Sequence, residues 1–164
     1  MTSFSADDLA TAPETPFADY AAAMEQLPAS TQFSASSLQT IYAMACNFLQ
    51  AGQRQRASDY FSFLLNYAPT NPDFLCARAG CAMQADDPAL AVELLSLALY
   101  VQPESCSIAL ALAEALVRAG ALKTARQMLL LVCRSAELPA DAIAQARAEL
   151  LLQALPSDAA PHAA

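Results

Sequence analysis

The sequence predicts an all-α chain built on three tandem helix–turn–helix units, each 34 residues long. Three observations carry that prediction. The first is composition: of 164 residues 56% are hydrophobic and only 15% charged, with three glycines. Much of the apolar content is alanine, which favours helix and lets helices approach closely, while strand-forming β-branched and aromatic residues are sparse. The second is a series of alanines, Ala57, Ala91 and Ala125, recurring every 34 residues. The third is that Pro69 and Pro103, and Gly52, Asp86 and Gly120, keep the same register. Independent series that agree on one period mark a stacked repeat, and this period is that of the tetratricopeptide helix pair.

Taken in order, residues 1–36 read as an N-terminal arm rich in Ser, Thr, Ala and Pro. Within it Phe17, Tyr20, Met24 and Leu27 have helical spacing, framed by Pro16 and Pro28. A helix of about eleven residues is marginal alone, so it needs a partner surface on its own domain or on another copy. The repeats occupy 37–138, with helices expected at 38–50, 54–67, 72–84, 88–100, 105–119 and 122–135. Gly52 and Gly120 fall in turns where positive φ is cheap for glycine, and Asp86-Asp87-Pro88 handles the same turn by Asx chemistry and a proline start. The period-34 alanines stand where two helices come closest, and Pro69 and Pro103 end the second helix of a unit.

The expected core is Ile41, Met44, Ala45 and Phe48, then Leu75, Ala79 and Ala82, then Ala109, Leu112, Ala113 and Leu116 on the first helices. On the second helices it is Ala57, Phe61 and Leu64, then Ala91, Leu95 and Ala98, then Ala125, Leu129 and Val132. In the third unit Glu137 stands where the terminal proline would fall, and Pro139 opens a final helix within 139–155. Its apolar residues Ile143, Leu150, Leu151 and Leu155 are expected to cap the stack, and 156–164 to form a disordered tail.

Charge and chemistry narrow the function. A net charge of −8 argues against nucleic acid and against anionic lipid, so neither nucleic-acid nor direct membrane binding is expected. The start of the chain lacks the basic stretch and apolar run of a signal peptide, and the longest apolar stretch, Ala89 to Val101, is too short to span a bilayer. A cytosolic protein is expected. The five cysteines contain no CxxC pair and read as free thiols, and His162 is the only histidine. Neither a metal site nor a cofactor is expected, and no nucleophile–histidine constellation can be assembled, so the chain is not expected to be an enzyme.

The first helices of stacked pairs line a concave face. The side chains expected there are Gln39, Tyr42, Cys46, Leu49 and Gln50 in the first unit, and Asp73, Cys76, Gly80, Met83 and Gln84 in the second. In the third they are Ser107, Leu110, Glu114, Val117 and Arg118, with Ala43, Ala77 and Ala111 beside these rows. A groove for a peptide carboxylate would present Lys, Asn and Arg. The first two units instead offer Tyr42, Leu49, Met83 and thiols around Gly80, which suits an extended peptide inserting apolar side chains into shallow pockets.

Between Leu38 and Cys133 stand Leu38-x-x-Ile41-Tyr42-x-x-Ala45-x-Asn47 with Gln50-x-Gly52, Gly80-Cys81, and Ala113-Glu114-Ala115-Leu116 with Gly120. In these strings the chain resembles the class II chaperones of bacterial type III secretion. The layout of arm, three repeats and final helix is also similar. The resemblance implies a chaperone of the bacterial cytoplasm that holds an extended segment of a hydrophobic translocator protein in the concave groove. Tyr42, Asn47, Gly80 and Glu114 are the positions it implicates. It further implies a homodimer formed through the N-terminal segment, here Phe17, Tyr20, Met24 and Leu27. Asp86-Asp87-Pro88 departs from the usual glycine turn. Two other readings are a chaperone of another secretion client, such as the needle subunit, and a general tetratricopeptide adaptor.

Overall fold

A computed structural model describes residues 33–135 and 141–156, and among these residues the chain is helical throughout, with no strand. Seven helices follow one another: α1 Ala35–Gln50, α2 Arg54–Tyr67, α3 Pro72–Gln84, α4 Pro88–Val101, α5 Cys106–Arg118, α6 Leu122–Ser135 and α7 Ala142–Ala154. Phe17, Tyr20, Met24 and Leu27 lie outside the described residues, as do 157–164. Each helix packs on its sequence neighbour, and α7 reaches α5 as well as α6. That is the adjacency of a stack of helix pairs.

The helix ends follow from local chemistry. Ser34 caps α1, its hydroxyl accepting from the Ser37 N–H at 3.2 Å, so this helix starts three residues before the expected Leu38. Asn71 Oδ1 accepts from the N–H groups of Asp73 (3.0 Å) and Phe74 (3.2 Å), with Pro72 at the first helical position. Asp87 repeats the device for α4, accepting from Leu90 N–H at 3.1 Å ahead of Pro88. The turns inside each pair are of one kind. Gly52, Asp86 and Gly120 have φ of 75°, 60° and 79°. The residue after each donates back to Phe48, Ala82 and Leu116 respectively, at 2.9 Å in all three, which closes a Schellman turn. Asp86 therefore holds the left-handed position itself, and Asp87 supplies the capping carboxylate.

Packing follows the period. Ala57, Ala91 and Ala125 are fully buried, and so are Ala45 and Ala113. Phe61, Leu64, Leu95, Leu129 and Val132 fill the space that close helix approach leaves. Two expectations fail. Met44 is 44% exposed, because the later residues in its repeat position, Arg78 and Leu112, face the preceding pair and no described helix precedes α1. On α7, Ile143 is 81% and Leu150 65% exposed. The helix instead buries Ala144 and Ala148 against Leu110, Ala113, Leu129 and Val132, with Leu151, Leu152 and Leu155 half-buried beside them. Two small residues let α7 lie close on α6, and that geometry turns the larger ones outward.

Candidate functional site: the face of the first helices

The candidate face is the one carried by α1, α3 and α5, whose helix starts at Pro72 and Cys106 keep the 34-residue step. Its fixed point is Tyr42. The ring lies 5.7 Å from buried Phe61 and 5.4 Å from buried Phe74, so α1, α2 and α3 all hold it. Its hydroxyl is influenced by the neighbouring Cys46 thiol. Burial above all, then Cys46, Asp73 and Cys76, push its pKa up to about 12. The phenol remains neutral across the working range.

Gly80 is the second feature. It sits inside α3 with ordinary helical φ, and a Cβ added there would meet nothing within 4 Å. Neither backbone strain nor packing requires a glycine at this position. What it leaves is a gap in the groove row between Cys76 and Met83, both half-buried. Burial raises the Cys76 thiol, and neighbouring Asp73 raises it further; burial likewise raises Cys81, against the pull of Arg78. Protonated thiols behave as small polarisable apolar groups rather than nucleophiles.

The third unit is more occupied. Leu110 is only 8% exposed, because α7 covers it through Ala144 and Ala148. Glu114 pairs with Arg147 of α7, Oε1 to Nε at 2.6 Å. Arg118 donates to the Met83 carbonyl at 2.9 Å and to Asp86 Oδ1 at 2.6 Å. Both arginines that border the face are thus engaged, and no pair of free cations stands ready for a carboxylate. Val117 is half-buried among the core residues of α3 to α6.

The remaining sequence-derived positions divide. Gln39, Ala43 and Gln50 are exposed, Leu49 and Ala77 half-buried, and all lie along the α1–α3 face. Asn47 is exposed but sits elsewhere: its repeat equivalents, Cys81 and Ala115, are buried toward the preceding pair, so it lies on the side of α1 against which no described helix packs. Sequence reasoning missed the bed under Tyr42 formed by Phe61 and Phe74 together. It also missed the α7 residues adjoining the face, because the connection before α7 departs from the 34-residue period. Among the described residues no group of His, Cys, Asp and Glu could hold a metal ion, and no helix is long and apolar enough to cross a membrane.

A stack of helix pairs with a thiol-bearing face along its first helices and an uncovered helical glycine has the architecture of a helical-repeat scaffold. Within that class the chain shares its fold with type III secretion chaperones. It matches Yersinia enterocolitica SycD in complex with a peptide of the translocator YopD at 22% identity and TM-score 0.70, over 75% of this chain and 95% of that one. Pseudomonas aeruginosa PcrH in complex with the chaperone binding region of PopD matches at 22% identity and TM-score 0.70, over 75% and 93%. SycD in an alternative dimer matches at 22% and TM-score 0.69, over 75% and 94%. No family model and no curated protein sequence matches the chain.

Proposed function

We propose that the chain is a non-enzymatic chaperone of type III secretion, working in the bacterial cytoplasm, that holds an extended segment of a hydrophobic translocator protein along α1, α3 and α5. The observation that carries this reading is the gap at Gly80, opening between half-buried Cys76 and Met83 one helix away from the anchored Tyr42. A helical glycine is unfavourable by about 0.5–1 kcal/mol relative to alanine, and a ligand side chain entering the gap accounts for its presence. The residues in roles here are Tyr42 and Leu49 on α1, Cys76, Ala77, Gly80 and Met83 on α3, with Gln39, Gln50 and Cys46 at the edges. Val117 and the paired Glu114 border the far side. The shared fold with SycD, solved with a peptide of the translocator YopD, and with PcrH, solved with the chaperone binding region of PopD, supports the choice of client. The engaged state of Arg118 and Arg147 weighs against an acidic peptide terminus.

The test is co-expression with each translocator encoded in the same genome. Wild type should keep the client soluble and co-purify with it. Gly80→Asp, which places a charge in open space, should abolish co-purification while leaving helical content intact. Tyr42→Asp disturbs the core as well, so it serves as a second variant only. Retained binding by Gly80→Asp would remove the groove assignment.

A further inference from the structure

We infer that the groove does not stop at the third pair but continues onto α7, where Ile143 and Leu150 seat one more apolar side chain of the same extended client. The inference rests on the client reading above. Helix α7 occupies the place of a fourth first helix. It has the same length as α3 and α5, and starts at Ala142, which is 36 residues after Cys106 rather than 34. The two additional residues fall in the connection 136–141.

Aligned start to start, buried Ala144 and Ala148 match buried Ile108 and Leu112, and half-buried Leu151 matches buried Ala115. The same alignment places Ile143 in the row of Asp73 and Ser107, and Leu150 in the row of Cys46, Gly80 and Glu114. Arg147 then follows Ala77 and Ala111, beside the groove row. Its 2.6 Å pair with Glu114 is the contact this register requires between adjoining first helices, and it neutralises the floor between them.

The alternative occupant is a further helix or a second copy stacked beyond α7, at the end of the described helices. That end is polar. The positions through which Ala109 and Ala113 pack against α6 are Gln145 and Glu149 on α7, hydrogen-bonded to each other at 3.4 Å. The apolar pair lies on the groove row instead, which commits it to the client. Neighbouring helices lie about 8–10 Å apart and an extended chain advances about 3.3 Å per residue. One more helix therefore lengthens the bound segment by about three residues.

The experiment uses the full chain and peptides cut from the N-terminal region of the translocator that co-purifies with it, read by fluorescence anisotropy. For wild type, removing the three residues at the α7 end should weaken binding at least tenfold. Ile143→Asp and Leu150→Asp should each weaken the full peptide at least tenfold, and be indifferent to that removal. Gln145→Ala should match wild type. Should either Asp variant melt early, Ile143→Ala and Leu150→Ala replace them, with a threefold loss or more expected. Unchanged affinity in these variants, with Gly80→Asp still inactive, overturns the extension and leaves the groove standing. Loss of oligomer mass at unchanged peptide affinity assigns the face to a second copy and also overturns it. Wild type binding no translocator peptide overturns the client reading and this one with it.

Discussion

Gly80 separates stability from function at a single atom. Its φ is helical and its Cβ position is empty, so alanine should gain the helix-propensity difference of about 0.5–1 kcal/mol. Urea unfolding should show that gain for Gly80→Ala, while translocator binding weakens because the methyl group enters the gap. A loss of stability would mean that the glycine serves the scaffold. Tyr42 makes a second prediction through pH. Its proton is held to about pH 12 in the fold against an ordinary value of 10.0. Below pH 10 both states keep the proton and stability is unaffected. Between about pH 10 and 12 the unfolded chain releases it and the folded chain does not, so stability falls as pH rises. Tyr42→Phe lacks this component, and its urea midpoint should drop less between pH 9 and 11 than that of wild type.

The same turn, made three times with two different residues, is an experiment within the chain. Gly52 and Gly120 take left-handed φ without penalty, whereas Asp86 takes it with a side chain and sets its carboxylate on Arg118. Gly120→Ala should destabilise by about 1–2 kcal/mol. Asp86→Gly relieves the strain and loses only an exposed ion pair worth about 0–1 kcal/mol, so it should be neutral or mildly stabilising; chemical denaturation distinguishes the two. Elements of this kind were readable from the sequence. The turn and alanine series recur because backbone geometry and helix approach demand particular residues there, whatever the surroundings. The orientation of α7 was not readable. That helix carries two apolar rows offset by one residue, Ile143 and Leu150 against Ala144, Ala148 and Leu151. Hydrophobicity favours the larger side chains, while close approach to α6 uses the smaller. Met44 and Asn47 misled for a related reason: repeat positions that are inward in later pairs are outward in the first.

At the scale of the whole molecule, assembly is the remaining question. We propose a homodimer through the N-terminal arm, in which Phe17, Tyr20, Met24 and Leu27 supply the apolar row of a helix too short to stand alone. Deleting residues 1–30 should halve the mass by light scattering; an unchanged mass would reject the arm as the interface. The groove's character was partly legible. Its thiols and Gly80 came from the repeat register, whereas the cover over Leu110 and the Glu114–Arg147 pair depended on where a helix beyond the 34-residue period came to lie.

That last helix has a consequence for how the molecule opens. Among the described residues each helix from α2 to α6 is held between two sequence neighbours, whereas α7 rests on α6 and reaches α5, through two alanines and a few half-buried leucines. In a chain stabilised neighbour by neighbour, such an end loosens at a small fraction of the global free energy. Its amide hydrogens should exchange with solvent earlier than those of α2 to α6. A client lying across α5 and α7 would join the loose end to the firm part of the stack and slow that exchange, as a splint does.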